Sequence, residues 1–241
     1  MKYAKMKVVR WFTTAEILSV PRRYVGKIAM HIIALKTAHS FYSNPANKHA
    51  LNIMKKVKKE TVMVLNDFEA HQIYMAVKKT EKIKGDIAEV GVYKGGSAKL
   101  ICETTKNKHV HLFDTFEGLP GLSEKDNEKQ FQKGDFLVQF EQVKKCLKYP
   151  HVHFYKGFFP ATSEPVKNKT FSFVHLDVDI YESTLSSLNF FYPRINRGGV
   201  IISHDYPGSK GVKRAFDEFF KDKLEIINEI PACDQCLVVK V

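Results

Sequence analysis

Four residues in the second half of the chain carry the most chemistry. Asp177 and Asp179 are two apart in Leu176-Asp-Val-Asp-Ile-Tyr-Glu-Ser-Thr184, so in extended backbone their side chains face the same way. Ser203-His204-Asp205-Tyr206 adds an imidazole and a third carboxylate. Brought together, these oxygens and one nitrogen can hold a divalent cation, or one of them can take a proton as a general base. The plainer alternative makes Asp179 the cap of a helix starting near Tyr181, and has Asp205 fix a turn near Pro207–Gly208. One of the four in such a role is expected. All four is not, because clustered buried carboxylates are costly unless a cation joins them.

A second group lies upstream, in Glu89-Val-Gly91-Val-Tyr-Lys-Gly95-Gly96-Ser97. A strand-to-helix turn that passes close to a ligand needs residues without Cβ bulk, and a helix opening near Ser97 offers free backbone N–H groups. The turn lacks the Gly-x-Gly-x-x-Gly spacing of nicotinamide sites and the Gly-Lys-Ser/Thr ending of a phosphate loop. Asp114 follows the next apolar run and can accept hydrogen bonds from a vicinal diol such as a ribose. Its alternative role is an Asx turn. Glu89 and Asp114 together flank a nucleoside-sized space and disfavour a phosphate-rich ligand. Lys156-Gly157-Phe158-Phe159-Pro160 offers an aromatic face, Phe158, on which a purine can stack; two adjacent Phe are equally ordinary as core. Cys233 and Cys236 have the spacing of half a zinc site, but no second Cys pair exists and the plain structural reading is preferred.

These residues share one position: each follows an apolar run. Strands are expected at 86–92, 110–113, 152–155, 171–176 and 199–203, alternating with helices at 97–105, 136–147, 181–191 and 211–221. Two closing strands, 224–230 and 237–241, read as a hairpin at the sheet edge. Alternation of this kind means a parallel sheet covered on both faces, with ligands beyond the carboxyl ends of the strands. The polar stretch 115–135 beside the site is expected to be a mobile lid.

With those motifs placed, the chain resembles the class I S-adenosylmethionine-dependent methyltransferases, and more narrowly the macrocin O-methyltransferase (TylF-type) family. The resemblance runs from about Gly85 to Asp217. It rests on Glu89–Ser97, on Phe113-Asp-Thr-Phe-Glu-Gly-Leu-Pro120, on Leu176–Thr184 and on Gly198-Gly-Val-Ile-Ile-Ser-His-Asp-Tyr206. It implies a Rossmann-like α/β fold with a seven-stranded, mostly parallel sheet and an antiparallel last strand. It also implies S-adenosyl-L-methionine as cofactor, held by Glu89, Gly91, Gly95, Ser97 and Asp177, with Asp114 on the ribose and Thr115, Phe116 and Phe158 beside the nucleoside. The reaction implied is methylation of a hydroxyl on a small molecule or glycan, a sugar above all, with Mg2+ near Asp179 and Asp205. The family often has two adjacent acids where this chain has His204-Asp205, which puts metal dependence in question and makes His204 an alternative base. The candidate set for base and metal ligands is therefore Asp177, Asp179, His204 and Asp205. Two rivals stand beside this reading: a nicotinamide-dependent oxidoreductase, and a cofactor-binding protein without catalysis.

Composition sets the outer bounds. The chain has 241 residues, is 44% hydrophobic and 27% charged, and contains four Cys, which excludes collagen-like, disordered and disulfide-built classes. Its net charge of +12 is uneven: residues 1–60 hold 13 Lys/Arg against Glu16 and Glu60. The expected division is a basic helical extension over residues 1–80 and a cofactor-binding domain over 81–241. Apolar residues in the arm recur at helical spacing, with breaks near Pro21 and Asn44–Pro45. The arm reads as a helical cap on the body or on a partner subunit in a homo-oligomer, or as a helix lying on an anionic membrane. No nucleic-acid-binding signature accompanies the charge. No signal peptide or apolar span is found, so a cytoplasmic location is expected, with peripheral contact at the inner membrane face as an addition.

Overall fold

A computed structural model describes residues 35–241 except 106, 128 and 232. The expected helices before residue 35 lie outside the described residues. The chain divides into two compact units, residues 1–49 and residues 50–241. In the first, residues 35–43 are helical and a short 3-10 turn, Pro45–Asn47, is capped by the Asn44 side chain. No helix among the described residues is long and apolar enough to cross a membrane.

The second unit is built on seven strands: β1 (Asp86–Val90), β2 (Val110–Asp114), β3 (Val152–Lys156), β4 (Phe171–Leu176), β5 (Ile195–His204), β6 (Asn228–Glu229) and β7 (Gln235–Val239). Their order is β3-β2-β1-β4-β5-β7-β6. The first five are parallel, and β7 runs antiparallel to both β5 and β6, so the expected edge hairpin is present. Strand order reverses between β1 and β4, which opens a crevice beyond the ends of those two strands.

Six helices belong with the sheet: α1 (Lys48–Glu60), α2 (Asp67–Thr80), α3 (Gly96–Thr104), α4 (Phe140–Cys146), α5 (Tyr181–Phe191) and α6 (Lys210–Phe220). One apolar layer joins Met54, Ile73, Leu100, Val143 and the β-strand residues Val110 and Leu112. The other joins Phe113, Phe171, Leu188, Phe191 and Phe216. Alternation along β2 divides its residues between the two layers, as a sheet buried on both faces requires. In α1 the buried positions are Ala50, Met54 and Val57, one stripe at helical spacing, while Lys55, Lys56, Lys58 and Lys59 are exposed. For this part of the basic segment, the core-facing reading holds.

Several boundaries differ from the sequence reading. α4 starts at Phe140 rather than 136, because Phe136 has φ of +65°, outside the helical region. β5 begins four residues early and absorbs an irregularity in its pairing with β4 near Gly198, whose φ is +80°. β6 is only two residues long, and Leu224 and Ile226 beside it stay exposed. α2 lies inside the helical extension expected over residues 1–80, where no separate helix was placed. Its start is a capping box in which Asn66 accepts from the Glu69 amide and Glu69 accepts from the Asn66 amide.

Candidate active site

The β1 tip is shaped by glycines. Gly91 has φ of +86°, and a Cβ there would collide with the Asp177 carbonyl oxygen at the tip of β4. Gly95 caps α3 in a left-handed conformation, and a Cβ on Gly96 would run into the Val62–Met63 backbone. The turn therefore passes tightly between β4 and the segment leading into α2. Ser97 sits in the first turn of α3, where helix N–H groups lack intrahelical partners.

Asp114, at the end of β2, points at this turn. Its Oδ2 accepts from the amides of Val92 (2.7 Å) and Tyr93 (2.8 Å), and its Oδ1 from that of Phe116 (2.6 Å). A carboxylate offers about four acceptor positions, so roughly one stays available to a ligand. The side chain thus fills the turn-fixing role and still keeps an acceptor position facing the turn. Thr115 accepts from the Glu117 amide and donates to the Gly118 carbonyl.

A cavity of about 300 Å³ opens here, lined on one side by Gly91, Ser97, Asp114, Thr115 and Phe158. Three expected cofactor residues are not on its wall. Glu89 is fully buried and bonded through Oε1 to His175 Nδ1 at 2.7 Å; burial pushes its carboxyl up. Phe116 packs on Phe140 at 4.6 Å in the core. Gly95 contributes backbone geometry only. Phe158 is 47% exposed at the wall, whereas Phe159 is buried against Phe113 and Phe191.

The far wall of the same cavity holds Asp177, Asp179, His204 and Asp205. β4 and β5 are neighbours, so their tips converge as the spacing suggested. His204 Nδ1 lies 3.0 Å from Asp205 Oδ2 and 3.5 Å from Asp177 Oδ1. Its Nε2 lies 3.7 Å from Glu69 Oε2. Burial alone would lower the His204 pKa, but the surrounding carboxylates of Asp205, Glu69 and Asp177 win and raise it to about 11. These carboxylates favour the protonated imidazole, the wrong form for a general base. Glu69 behaves as its counter-ion. Burial opposes its charge, yet His204 and the amides of Asp234 and Asn66 hold it at about 2. Burial pushes Asp177 up, and Asp179 well up, the latter also through Asp177 and its hydrogen bond with Asp205.

One ligand atom each from Asp177, His204 and Asp205 fall within 4.8 Å of one another, a spacing able to hold a divalent ion. Asp179 joins as the hydrogen-bond partner of Asp205 rather than as a member of that trio. Both Asp179 (φ +62°) and Asp205 (φ +59°) adopt left-handed backbone, unusual outside glycine and typical of functional turns. Asp179 does not cap α5. That cap comes from Asp126, whose Oδ1 accepts from the Tyr181 amide at 2.7 Å.

Asp126 belongs to the segment expected as a lid. The segment is anchored in this structure: Ser123 donates to Asp126, Gln130 donates to the Gly208 carbonyl, and Leu119 and Gly134–Asp135 bond to each other. It adds Leu119 and Phe131 to the cavity wall, Phe136 follows directly after it, and Val62 and Val64 come from the segment before α2. Cys233 and Cys236 are free thiols.

Three comparisons bear on this site. The model of the family described as Macrocin-O-methyltransferase (TylF) matches residues 42–239, so the match also takes in α1 and α2, where the sequence motifs showed nothing. A demethyldecarbamoylnovobiocin O-methyltransferase from Streptomyces niveus is 27% identical over 64% of this chain and 64% of its own length. A mycinamicin III 3''-O-methyltransferase from Micromonospora griseorubida is 25% identical over 88% of this chain and 89% of its own. A rhamnosyl-tetracenomycin 4'-O-methyltransferase from Streptomyces olivaceus is 31% identical over 52% of this chain and 54% of its own. The chain thus spans about half to two thirds of the length of two of these relatives. Among solved structures, the O-methyltransferase NovP superimposes with a TM-score of 0.63 and 26% identity, covering 71% of this chain and 79% of that one. A calicheamicin methyltransferase, 15% identical with a TM-score of 0.60 over 82% of this chain and 93% of that one, shares the fold. With a family match over most of its length and the strand order and crevice that go with it, the chain belongs to the macrocin O-methyltransferase (TylF) family.

Proposed function

We propose that the chain moves a methyl group from S-adenosylmethionine to a hydroxyl oxygen of a sugar carried by a small molecule. The observation that carries this reading is a single cavity with two unlike walls. One is the Gly91 turn with Ser97 and Asp114, and the other is the cluster Asp177, His204 and Asp205. The relatives' names, which include a rhamnosyl-bearing acceptor, support a sugar hydroxyl.

The first wall fits the cofactor. Its backbone comes close enough that a Cβ on Gly91 has no room, Asp114 keeps an acceptor position for a ribose hydroxyl, and Phe158 leaves an aromatic face open. Bound there, S-adenosylmethionine would supply an electrophilic methyl carbon on a sulfonium. The second wall also fits a cation, with two carboxylates suited to Mg2+ and an imidazole that widens the choice towards Mn2+. Asp177, His204 and Asp205 would hold that ion, which would lower the pKa of the acceptor hydroxyl.

An alcohol must shed its proton as it attacks. Where no ion is held, Asp177 is the base in this reading: it lines the cavity, and burial holds its carboxyl above the usual range, closer to the working pH. His204 is poorly suited to that task while the surrounding acids keep it protonated; it balances their charge until an ion takes that place and the imidazole, giving up its proton, becomes a ligand. Leu119, Phe131 and Phe136 exclude water from the reacting atoms, and the shared cavity holds donor and acceptor in line. Calorimetric titration tests the first wall. S-adenosylhomocysteine is expected to bind the chain and to bind Asp114→Ala at least tenfold more weakly, while NADH shows no heat. Equal affinities in the two proteins would overturn the assignment.

A further inference from the structure

Four of the ten histidines lie at the other end of the strands from the cavity. His111 pairs with His153 across β2 and β3, and His109 and His151 each precede the next register pair, Val110 with Val152. The rings of His109, His111 and His153 meet on one side of the sheet, with His153 5.1 Å from each of the other two between centroids. β3 is the edge strand, and His109 is exposed there.

The four rings are held differently. His111 has both nitrogens engaged, Nδ1 with the Tyr155 hydroxyl and Nε2 with Asp86, each at 2.9 Å. Asp86 is fixed in turn by Lys169 at 2.9 Å. The ring of His153 stacks on this immobile ring, with centroids 5.1 Å apart and planes at 18°. His153 Nε2 then faces His109 Nδ1 at 2.9 Å. The His151 ring packs instead against Tyr149, with centroids 5.7 Å apart.

We propose that His109 and His153 form a binding site for a late first-row divalent ion, Cu2+ or Ni2+. With metal–nitrogen bonds of about 2.0–2.1 Å, donors as close as these two subtend roughly 90° at a shared ion, the cis angle of tetragonal coordination. The site differs in kind from the trio in the cavity: it is all imidazole and borderline in softness, whereas that trio is mostly carboxylate oxygen. Water completes the coordination at the open edge of the sheet. A bound ion ties the edge strand β3 to β2 through side chains as well as through the backbone ladder.

The test uses the full chain without an affinity tag, titrated with CuSO4 or NiCl2 in excess Mg2+. One Cu2+ per chain with nitrogen hyperfine splitting from two imidazoles is expected by electron paramagnetic resonance. Ni2+ affinity is expected to fall at least tenfold in His109→Gln and in His153→Gln, and to persist in Asp205→Asn, which damages the cavity trio. Ni2+ should raise the melting midpoint of the wild-type chain and leave that of His109→Gln unchanged, while methyl transfer by the two His variants stays at the wild-type rate. Unchanged Ni2+ affinity in both His variants, or its loss in Asp205→Asn alone, would overturn the proposal. Metal-free melting curves of the variants separate loss of the site from loss of the fold.

Discussion

At the scale of single residues, the account turns on how one environment treats three carboxylates and an imidazole. Glu69, Asp177 and Asp205 surround His204 and keep it charged, while burial pushes Asp177 towards the neutral form that a proton acceptor passes through. Asp177→Asn is expected to lower kcat by about 10² to 10⁴, the usual worth of a general base, with S-adenosylhomocysteine affinity unchanged. Gly91→Ala tests the other wall. The added methyl meets the Asp177 carbonyl at a left-handed position, so cofactor binding is expected to be lost, together with about 2 kcal/mol or more of stability on thermal unfolding. Asp177, His204 and Asp205 were readable from the sequence because each follows a strand, and strand tips converge in this fold. Glu69 was not, because its route to His204 runs through a helix cap 135 residues away in the chain. The Asn66-x-x-Glu69 pattern was the signal that could have found it.

At the scale of elements, two anchors deserve separate experiments. Asp126 caps α5 from within the cavity-covering segment, so Asp126→Ala removes a helix cap and frees the cover at once. A loss of about 1 kcal/mol in unfolding free energy is expected, with KM for the acceptor raised several-fold and kcat little changed. Unaltered KM would mean that the segment does not shape the acceptor site. Glu225 anchors the end of the chain. Its buried side chain accepts from Lys240 at 2.7 Å and from the Tyr192 hydroxyl at 2.7 Å, and these bonds outweigh burial and hold its pKa at about 2 against an ordinary 4.5. A depressed carboxyl stabilises the fold fully above its unfolded pKa and loses that contribution as pH falls towards the folded value. Glu225→Gln is therefore expected to lose roughly 1–3 kcal/mol at pH 7 and to show a flatter fall in stability between about pH 5 and pH 2 than the wild-type chain. The strand–helix alternation was legible from periodicity. β6 was overread, because Leu224 and Ile226 belong to an apolar run that stays in solvent.

At the scale of the whole molecule, charge and function separate. Residues 1–60 carry the excess of lysine and arginine, but part of it is spent locally, on Lys56–Glu103 and Lys58–Asp67 pairs. If the remainder serves a membrane contact, the full chain should co-sediment with phosphatidylserine vesicles at low salt and be released as NaCl rises. Recovery in the supernatant at every salt concentration would leave the core-facing role of α1 as the account of this segment. Sequence motifs identified the family because four of them lie in order at strand ends. They stopped short of α1 and α2, whose match to the family lies in packing rather than in chemistry-bearing residues. The most direct test of the central claim is to follow a deuterium-labelled methyl group by mass spectrometry. The chain is given labelled S-adenosylmethionine and a panel of glycosides bearing free sugar hydroxyls, with Mg2+ or with chelator. One labelled methyl on a sugar oxygen, made by the wild-type chain and lost in Asp177→Asn, is the expected result; no labelled ether from any glycoside, or equal yield from Asp177→Asn, would contradict it.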